Sequence, residues 1–319
     1  MPNITVRDGI IHSRKLEYNL VDHCNLSCAQ CSHMSPHMKT GSIPLDIFAS
    51  DINRLSTVYR VEKLRFVGGE PLLNPHILDY IQVARDSGIC KRIEIATNGT
   101  LLDRAPDVLF SSVDSISVSW YPTPQSHEHI LKLASEKCRR YGTKFRVERI
   151  ERFRKMQITE PIADKQIIND IYQSCMIAHT WDCQTFYDGR FYLCSRPIYA
   201  ASYLQQAEFS APDFRTLDGV PLHESDLKER LIKALSSTQP LKACEYCLGT
   251  IGCYSSWHQL PTRSRRKPMP TTFNHDMISW KRMRFLLAWR KVESNILKRW
   301  PSAALAKWIS VALTSIIGD

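Results

Sequence analysis

Three cysteines near the N-terminus, Cys24, Cys28 and Cys31, form a C-x3-C-x2-C pattern directly after an apolar, strand-like stretch. Three thiolates on so short a loop can bind three irons of a four-iron cluster. The fourth iron then has no protein ligand, so a small molecule can bind there and receive an electron. The other chemistry that fits this spacing is a structural zinc site, for which His33 would be the fourth ligand.

A second motif, Gly68-Gly69-Glu70-Pro71-Leu72, follows the apolar run at residues 64–67. Two glycines let the main chain come close to a ligand, and the Glu70 carboxylate offers a negative charge to an ammonium group. An ordinary glycine turn would not explain why this motif follows a three-cysteine loop. The combination therefore favours the iron–sulfur cluster over zinc.

Together the two motifs resemble those of the radical S-adenosylmethionine (SAM) superfamily. The resemblance implies a SAM-binding [4Fe–4S] cluster on Cys24, Cys28 and Cys31. It implies that the methionine amino group of SAM binds at Gly68, Gly69, Glu70 and Pro71. Further SAM contacts are implied on later strands, with Asn98, Ser119, Arg146 and Arg149 as candidates. Many members have an aromatic residue before the third cysteine, near the adenine, where this chain has Gln30.

The elements that must position these motifs alternate between strand-like and helical patterns. Strands are predicted at residues 15–20, 63–67, 92–96, 115–119 and 144–150, with the clearest helices at 44–60 and 75–87. This alternation is typical of parallel β/α units, which place ligands beyond the carboxyl ends of their strands. Combined with the resemblance, it predicts an α/β fold with a partial (β/α)6 radical SAM barrel at residues 13–170.

A second group of cysteines follows the predicted barrel, and it resembles the SPASM and twitch extensions of radical SAM enzymes. That resemblance implies a domain at residues 171–261, with a hairpin at 187–192 and one auxiliary [4Fe–4S] cluster. Cys194, Cys244 and Cys247 are the expected ligands, with Cys175 or Cys183 as the fourth. The remaining thiols are either buried apolar residues or, for Cys253, a hydrogen donor to a substrate radical.

The resemblance implies an enzyme that cleaves SAM reductively and abstracts hydrogen from a C–H bond. Sequence around both cysteine groups is similar to the branch that oxidises or epimerises sugars and aminocyclitols, which predicts a small-molecule substrate. Two alternatives stay open: a peptide-modifying SPASM enzyme, and a non-enzymatic iron–sulfur electron-transfer protein. An external electron donor such as flavodoxin or ferredoxin is the expected partner of an enzyme.

The charge of the chain is concentrated at its C-terminal end, where residues 262–319 hold twelve Lys and Arg against three acidic residues. This tail contains a basic linker, an amphipathic helix with Phe285, Trp289 and Val292 on one face, and an apolar segment at 303–317. We expect either a helical hairpin packed on the barrel or attachment to a membrane surface. The neutral body argues against nucleic-acid binding, and the eleven cysteines favour the reducing cytoplasm.

Overall fold

The computed structural model of the chain describes residues 4–123, 128–261 and 267–299. Within these residues the strands are β1 Thr5–Arg7, β2 Ile10–Val21, β3 Tyr59–Gly68, β4 Cys90–Thr97, β5 Ser115–Trp120, β6 Lys144–Arg149, β7 Arg152–Arg154, β8 Thr185–Tyr187, β9 Arg190–Tyr192, β10 Val220–Pro221 and β11 Tyr254–Ser256. The helices are α1 Leu45–Ser56, α2 Ile77–Asp86, α3 Asp107–Ser112, α4 Glu128–Tyr141, α5 Lys165–Gln173, α6 Met176–His179, α7 Arg196–Gln206, α8 Phe214–Asp218, α9 Leu227–Leu235 and α10 Trp280–Arg299.

Six strands form a parallel sheet in the order β8-β2-β3-β4-β5-β6. This confirms the α/β class and the six parallel strands of the predicted partial barrel. Helix α1 is shorter than predicted because the chain leaves it to pair Tyr59, the first residue of β3, with Ile11 of β2. The sixth parallel strand, β8, comes from the segment that the sequence assigned to the auxiliary domain.

The two faces of the sheet differ in chemistry. Leu16, Tyr18 and Leu20 of β2 are buried and pack toward the helices, with the Tyr18 ring 4.4 Å from that of Phe48 in α1. Because side chains alternate along a strand, the residues between them point to the opposite, inner face. They are polar or charged: Lys15, Glu17 and Asn19.

The hairpin predicted at residues 187–192 is confirmed as β8 and β9, which pair antiparallel. Its turn residues, Asp188 and Gly189, both have positive φ, of 48° and 73°. Two-residue hairpins favour turns with positive φ, because the twist of such turns matches the twist of the strands that they join. The hairpin extends the sheet because Thr185 of β8 lies opposite Glu17 of β2.

The helix of the tail packs on the protein through a face that only partly overlaps the predicted one. Met283 and Leu286 of α10 are buried in a cluster with Ile278 and Ile251, whereas Phe285 and Val292 are 42% and 48% exposed. Trp289 of the predicted face does pack against this cluster. The contacts of Met283 and Leu286, three residues apart on one side of the helix, rotate the packed face away from Phe285 and Val292. Residues 262–266 and 300–319, with Trp300 and the apolar segment 303–317, lie outside the described residues. Among the described helices, none has the length and apolarity to cross a bilayer.

Candidate functional site

The predicted motifs meet at the carboxyl ends of four neighbouring parallel strands. The three-cysteine loop follows β2, Gly68 ends β3, Asn98 follows β4 and Tyr121 follows β5. Parallel strands bring these ends to one edge of the sheet, where α/β proteins bind ligands.

Main-chain contacts join the glycine motif to the cysteine loop. The N–H of Gly69 donates to the carbonyl of Val21 (2.8 Å), and the N–H of Glu70 donates to the carbonyl of His23 (3.0 Å). A Cβ atom on Gly69 would lie 1.8 Å from the His23 oxygen, and one on Gly68, at φ +125°, would lie 2.4 Å from the Val21 oxygen. Both glycines are therefore required for the two loops to touch, a reason that the sequence did not reveal.

The carboxylate of Glu70 is fully buried at this junction. It accepts hydrogen bonds from the Thr97 hydroxyl (2.6 Å) and from the N–H groups of Asn98 (2.8 Å) and Leu72 (3.1 Å). A carboxylate has about four acceptor positions, so one is left for a further donor such as an ammonium group. Burial raises the pKa of Glu70 to about 7, although the three hydrogen bonds oppose that rise.

The three thiols of the loop lie close together in a partly buried space. Burial raises the pKa of Cys24 and of Cys28 to about 12, and the neighbouring Cys31 thiol adds to both increases. Hydrogen bonds reach two of the sulfurs: Asn98 Nδ2 lies 3.5 Å from Cys24 Sγ, and Trp257 Nε1 lies 3.1 Å from Cys28 Sγ. Thiols in such an environment lose their protons when they bind metal, and the donor set fits a three-cysteine cluster site.

His33, the candidate fourth ligand of the alternative zinc site, lies near charged side chains. Its imidazole is within electrostatic range of Glu17, Arg196 and Arg65, and burial lowers its pKa to about 4. In the described ranges, no three His, Cys, Asp or Glu side chains are arranged as ligands of a single metal ion.

The remaining predicted SAM contacts lie on β5 and β6. Ser119 is half-buried and hydrogen-bonds with Tyr121, a half-buried phenol beside the three cysteines. Arg146 of β6 lies opposite Ser117 of β5 in the sheet register, so it belongs to the inner face. Arg149, three residues further, points to the opposite face and stacks 4.5 Å from the Trp120 ring. The structure therefore favours Arg146 over Arg149.

Beneath this edge, the inner face of the sheet carries a chain of alternating charges. Lys15 Nζ lies 2.9 Å from Glu17 Oε1, and Arg65 lies 3.7 Å from Glu17 and 2.9 Å from Glu94. The latter contact is an ion pair without good hydrogen-bond alignment, and Lys63 lies 2.8 Å from the other oxygen of Glu94. Burial opposes ionisation of Glu17, but Lys15 and Arg65 outweigh it and lower the pKa of this carboxyl.

Four cysteines of the second group surround one mainly apolar cavity of about 50 Å³: Cys175, Cys194, Cys244 and Cys247. Burial raises the pKa of Cys175, Cys194 and Cys244, and the nearby thiols of the group raise each of them further. A single water needs only about 10–15 Å³, so the cavity is larger than a water site. Four thiols around one space could hold a four-iron cluster.

The other two candidate thiols lie elsewhere. Cys183 faces the inner charges of the sheet, with its sulfur 3.7 Å from Lys15 Nζ, and so the structure favours Cys175 as the fourth residue of the cavity group. Cys253 donates to the carbonyl of Asp276 (3.4 Å) in an exposed setting. The structure does not bring Cys253 to the cavity or to the inner face.

Three features of the site were missed by sequence reasoning. The indole of Trp257, the phenol of Tyr121 and the inner charges all carry no motif. The inner charges did leave a signal, because Lys15, Glu17 and Asn19 alternate with apolar residues in a strand predicted to be buried. Trp257 left none, since it contacts a residue 229 positions away.

Comparison with known proteins identifies the first half of the chain. Residues 18–165 match the family model of the radical SAM superfamily. A GTP 3',8-cyclase of Chlorobaculum tepidum is 36% identical over 98 residues, 30% of this chain and 29% of that protein. A SAM-dependent nucleotide dehydratase of Selenomonas ruminantium is 28% identical over 109 residues, 33% of this chain and 38% of that protein. The chain thus matches about a third of these curated relatives.

Among solved structures, the crystal structure of BtrN in complex with AdoMet and 2-DOIA is similar over 70% of this chain and 82% of that chain. The sequence identity is 13% and the TM-score is 0.41. That score is too low for functional comparison.

Proposed function

Residues 18–165 belong to the radical SAM superfamily, and from this membership we propose that the protein is an enzyme that cleaves SAM reductively. The observation that carries the proposal is the junction of the two loops, where Gly69 and Glu70 hydrogen-bond to the main chain just before Cys24. The ligands of a cluster and the acceptor for the SAM ammonium group are thereby held in a fixed relation.

When bound, a reduced [4Fe–4S] cluster and SAM supply a 5′-deoxyadenosyl radical, which abstracts hydrogen from a C–H bond. In this chain Cys24, Cys28 and Cys31 would hold the cluster. The free acceptor position of Glu70 would take the ammonium group, with Gly68 and Pro71 flanking it. Asn98 would fix the position of the cluster loop relative to the Glu70 carboxylate, because its main-chain N–H bonds to Glu70 and its side chain bonds to Cys24.

The inner face of the sheet supports a small polar substrate, a carbohydrate or an aminocyclitol. Its charged side chains offer donors and acceptors in alternation, which suits hydroxyl and amino groups better than an apolar ligand. The reaction on such a substrate would be a dehydrogenation or an epimerisation. Cys253, the hydrogen donor expected from the sequence, lies at the Asp276 carbonyl and not on this face, so an epimerase would take its hydrogen from another group. A low-potential donor such as flavodoxin or ferredoxin would supply the electron that reduces the cluster.

An auxiliary [4Fe–4S] cluster is also proposed, on Cys175, Cys194, Cys244 and Cys247. Its support is the shared cavity that these thiols surround. The basic surface of α10, with Lys281, Arg284 and Lys291 exposed, supports contact with an anionic membrane surface from the cytoplasmic side.

A nucleotide is the second candidate substrate. It is supported by the relatives of the first half of the chain, which include GTP 3',8-cyclases and a nucleotide dehydratase. Incubation with GTP, sugars and aminocyclitols under the same conditions separates the two candidates, because only the true substrate should increase the yield of modified product.

The proposed function is tested with anaerobically reconstituted protein and dithionite. Wild-type protein should form 5′-deoxyadenosine from SAM, and the triple variant Cys24→Ala, Cys28→Ala, Cys31→Ala should form none. Cys90→Ala, on β4, is the matched control and should stay active. Cleavage of SAM by the triple variant would disprove the proposal.

For the reaction type, deuterium from solvent should enter the product of an epimerase, and Cys253→Ala should leave that incorporation unchanged because Cys253 lies away from the inner face. A product that is oxidised by two electrons and carries no deuterium would identify a dehydrogenase.

A further inference from the structure

A segment at residues 254–260, distant from the three-cysteine loop in sequence, covers that loop. Strand β11 first pairs with β7, and the residues after it then pair with the loop. Ala29 N–H donates to the His258 carbonyl (2.9 Å), and Leu260 N–H donates to the Ser27 carbonyl (2.8 Å). These bonds fix the register between the segment and the loop on both sides of Cys28.

Trp257 lies where this segment passes from β7 to the loop. Its main-chain N–H donates to the Glu151 carbonyl at 2.8 Å. Its indole ring stacks on Tyr121, with centroids 5.9 Å apart and planes 9° apart, and Tyr121 stacks in turn near Phe153. The backbone bond fixes the position of Trp257, and the stacking on Tyr121 fixes the orientation of its ring. In this orientation Nε1–H donates to Cys28 Sγ at 3.1 Å.

We propose that Trp257 is a positioning residue that sets the reduction potential of the cluster on Cys24, Cys28 and Cys31 through its indole N–H. The inference rests on the proposed function, since it requires that the three thiols hold a redox cluster. A donor on a ligand sulfur stabilises the state with more negative charge, which is the reduced state. The hydrogen bond should therefore make this cluster easier to reduce.

The test uses the full chain, reconstituted with iron and sulfide and without SAM. Trp257→Phe keeps an aromatic ring but loses the N–H, so redox titration followed by EPR should give a more negative midpoint potential. The relevant signal is identified as the one that changes when SAM is added. Trp280→Phe is the matched control, because that indole donates to the His275 carbonyl (2.9 Å), and its potential should equal the wild type's. A Trp257→Phe protein with a full cluster and an unchanged potential would overturn the inference.

A second measurement does not depend on a variant. Wild-type protein labelled with ¹⁵N-tryptophan should show coupling of an indole nitrogen to the reduced cluster, and lack of that coupling would also overturn the inference. The outcomes also distinguish this inference from the proposed function. A shifted potential in Trp257→Phe without SAM cleavage by the wild type contradicts only the proposed function. SAM cleavage by the wild type with an unchanged potential in Trp257→Phe contradicts only the role of Trp257.

Discussion

Gln157 donates a hydrogen bond of 2.7 Å from Nε2 to the carbonyl oxygen of Cys31. At the same point its main chain pairs with Cys247. One buried residue therefore contacts both groups of cysteines, and the loop at the sheet edge and the cavity group cannot move independently there.

Gln157→Leu should lower the free energy of unfolding of the iron-free protein by about 1 kcal/mol, the net value of a typical hydrogen bond. Gln173→Leu is the control, because its side chain makes a comparable bond to Thr238 in an exposed position, and its effect should stay within about 0.5 kcal/mol. Urea unfolding measures both. Equal losses of unfolding free energy would show that the bond to Cys31 stabilises the protein no more than the exposed bond of Gln173 does.

Iron content should identify the fourth residue of the cavity group. Wild-type protein should bind about eight irons, and Cys175→Ala clearly fewer, because the auxiliary cluster then loses one of its four thiolates and is held less tightly. Cys183→Ala should keep about eight, since Cys183 faces Lys15. The reverse pattern would assign the cluster to Cys183 and refute the choice made from the cavity.

Binding of SAM should depend on pH through Glu70, whose pKa burial raises to about 7. The ionised carboxylate attracts an ammonium group, so affinity should fall as the pH drops below 7, approaching about tenfold per unit. Glu70→Gln should bind weakly at every pH, and Glu245→Gln, at a surface ion pair with Lys242, should keep the wild-type profile. Equilibrium dialysis with labelled SAM measures this, and a flat wild-type profile would contradict it.

Gly69→Ala should separate the two loops of the site. Its Cβ would meet the His23 oxygen at 1.8 Å, whereas the Cβ of Gly41→Ala would be 3.6 Å from its nearest neighbour, on Asp22. We expect Gly69→Ala to lose about 1–3 kcal/mol of stability or more and to retain less iron. Gly41→Ala should retain wild-type iron, and similar iron loss in both variants would show that the contact is unimportant.

The packing of α10 predicts unequal effects for adjacent residues. Leu286→Ala removes a buried side chain and should cost about 2–5 kcal/mol. Phe285→Ala removes a side chain that is 42% exposed, so thermal unfolding should reveal a much smaller loss. A larger loss for Phe285→Ala would restore the face that was predicted from the sequence.

Local patterns predicted the part of the fold that local physics determines. Apolar runs located β2 to β6, and Asp188-Gly189 located the hairpin, because strand burial and turn geometry depend on neighbouring residues. The edge of the sheet where the motifs meet followed from the parallel direction of the strands.

What could not be predicted depends on contacts between distant residues. The position of β8 beside β2 joins Thr185 to Glu17, and neither residue type indicates that partner. The separation of Cys175 from Cys183 is similar, because the two lie eight positions apart and only the path of the chain through α6 decides which one reaches the cavity. The rotation of α10 depends on its contact with Ile251, which lies outside the tail and well before the helix in the sequence.

The three-cysteine loop is synthesised before the segment that covers it. Ser27 bonds to the side chain of Gln259, 232 positions later, so the loop leaves the ribosome long before its cover. At about 5–20 residues per second the interval is roughly 10–50 s. During that time the three thiols are accessible on a nascent chain, and delivery of iron and sulfur can precede closure. Assembly factors could therefore reach the three thiols during synthesis, before the covering segment has been made.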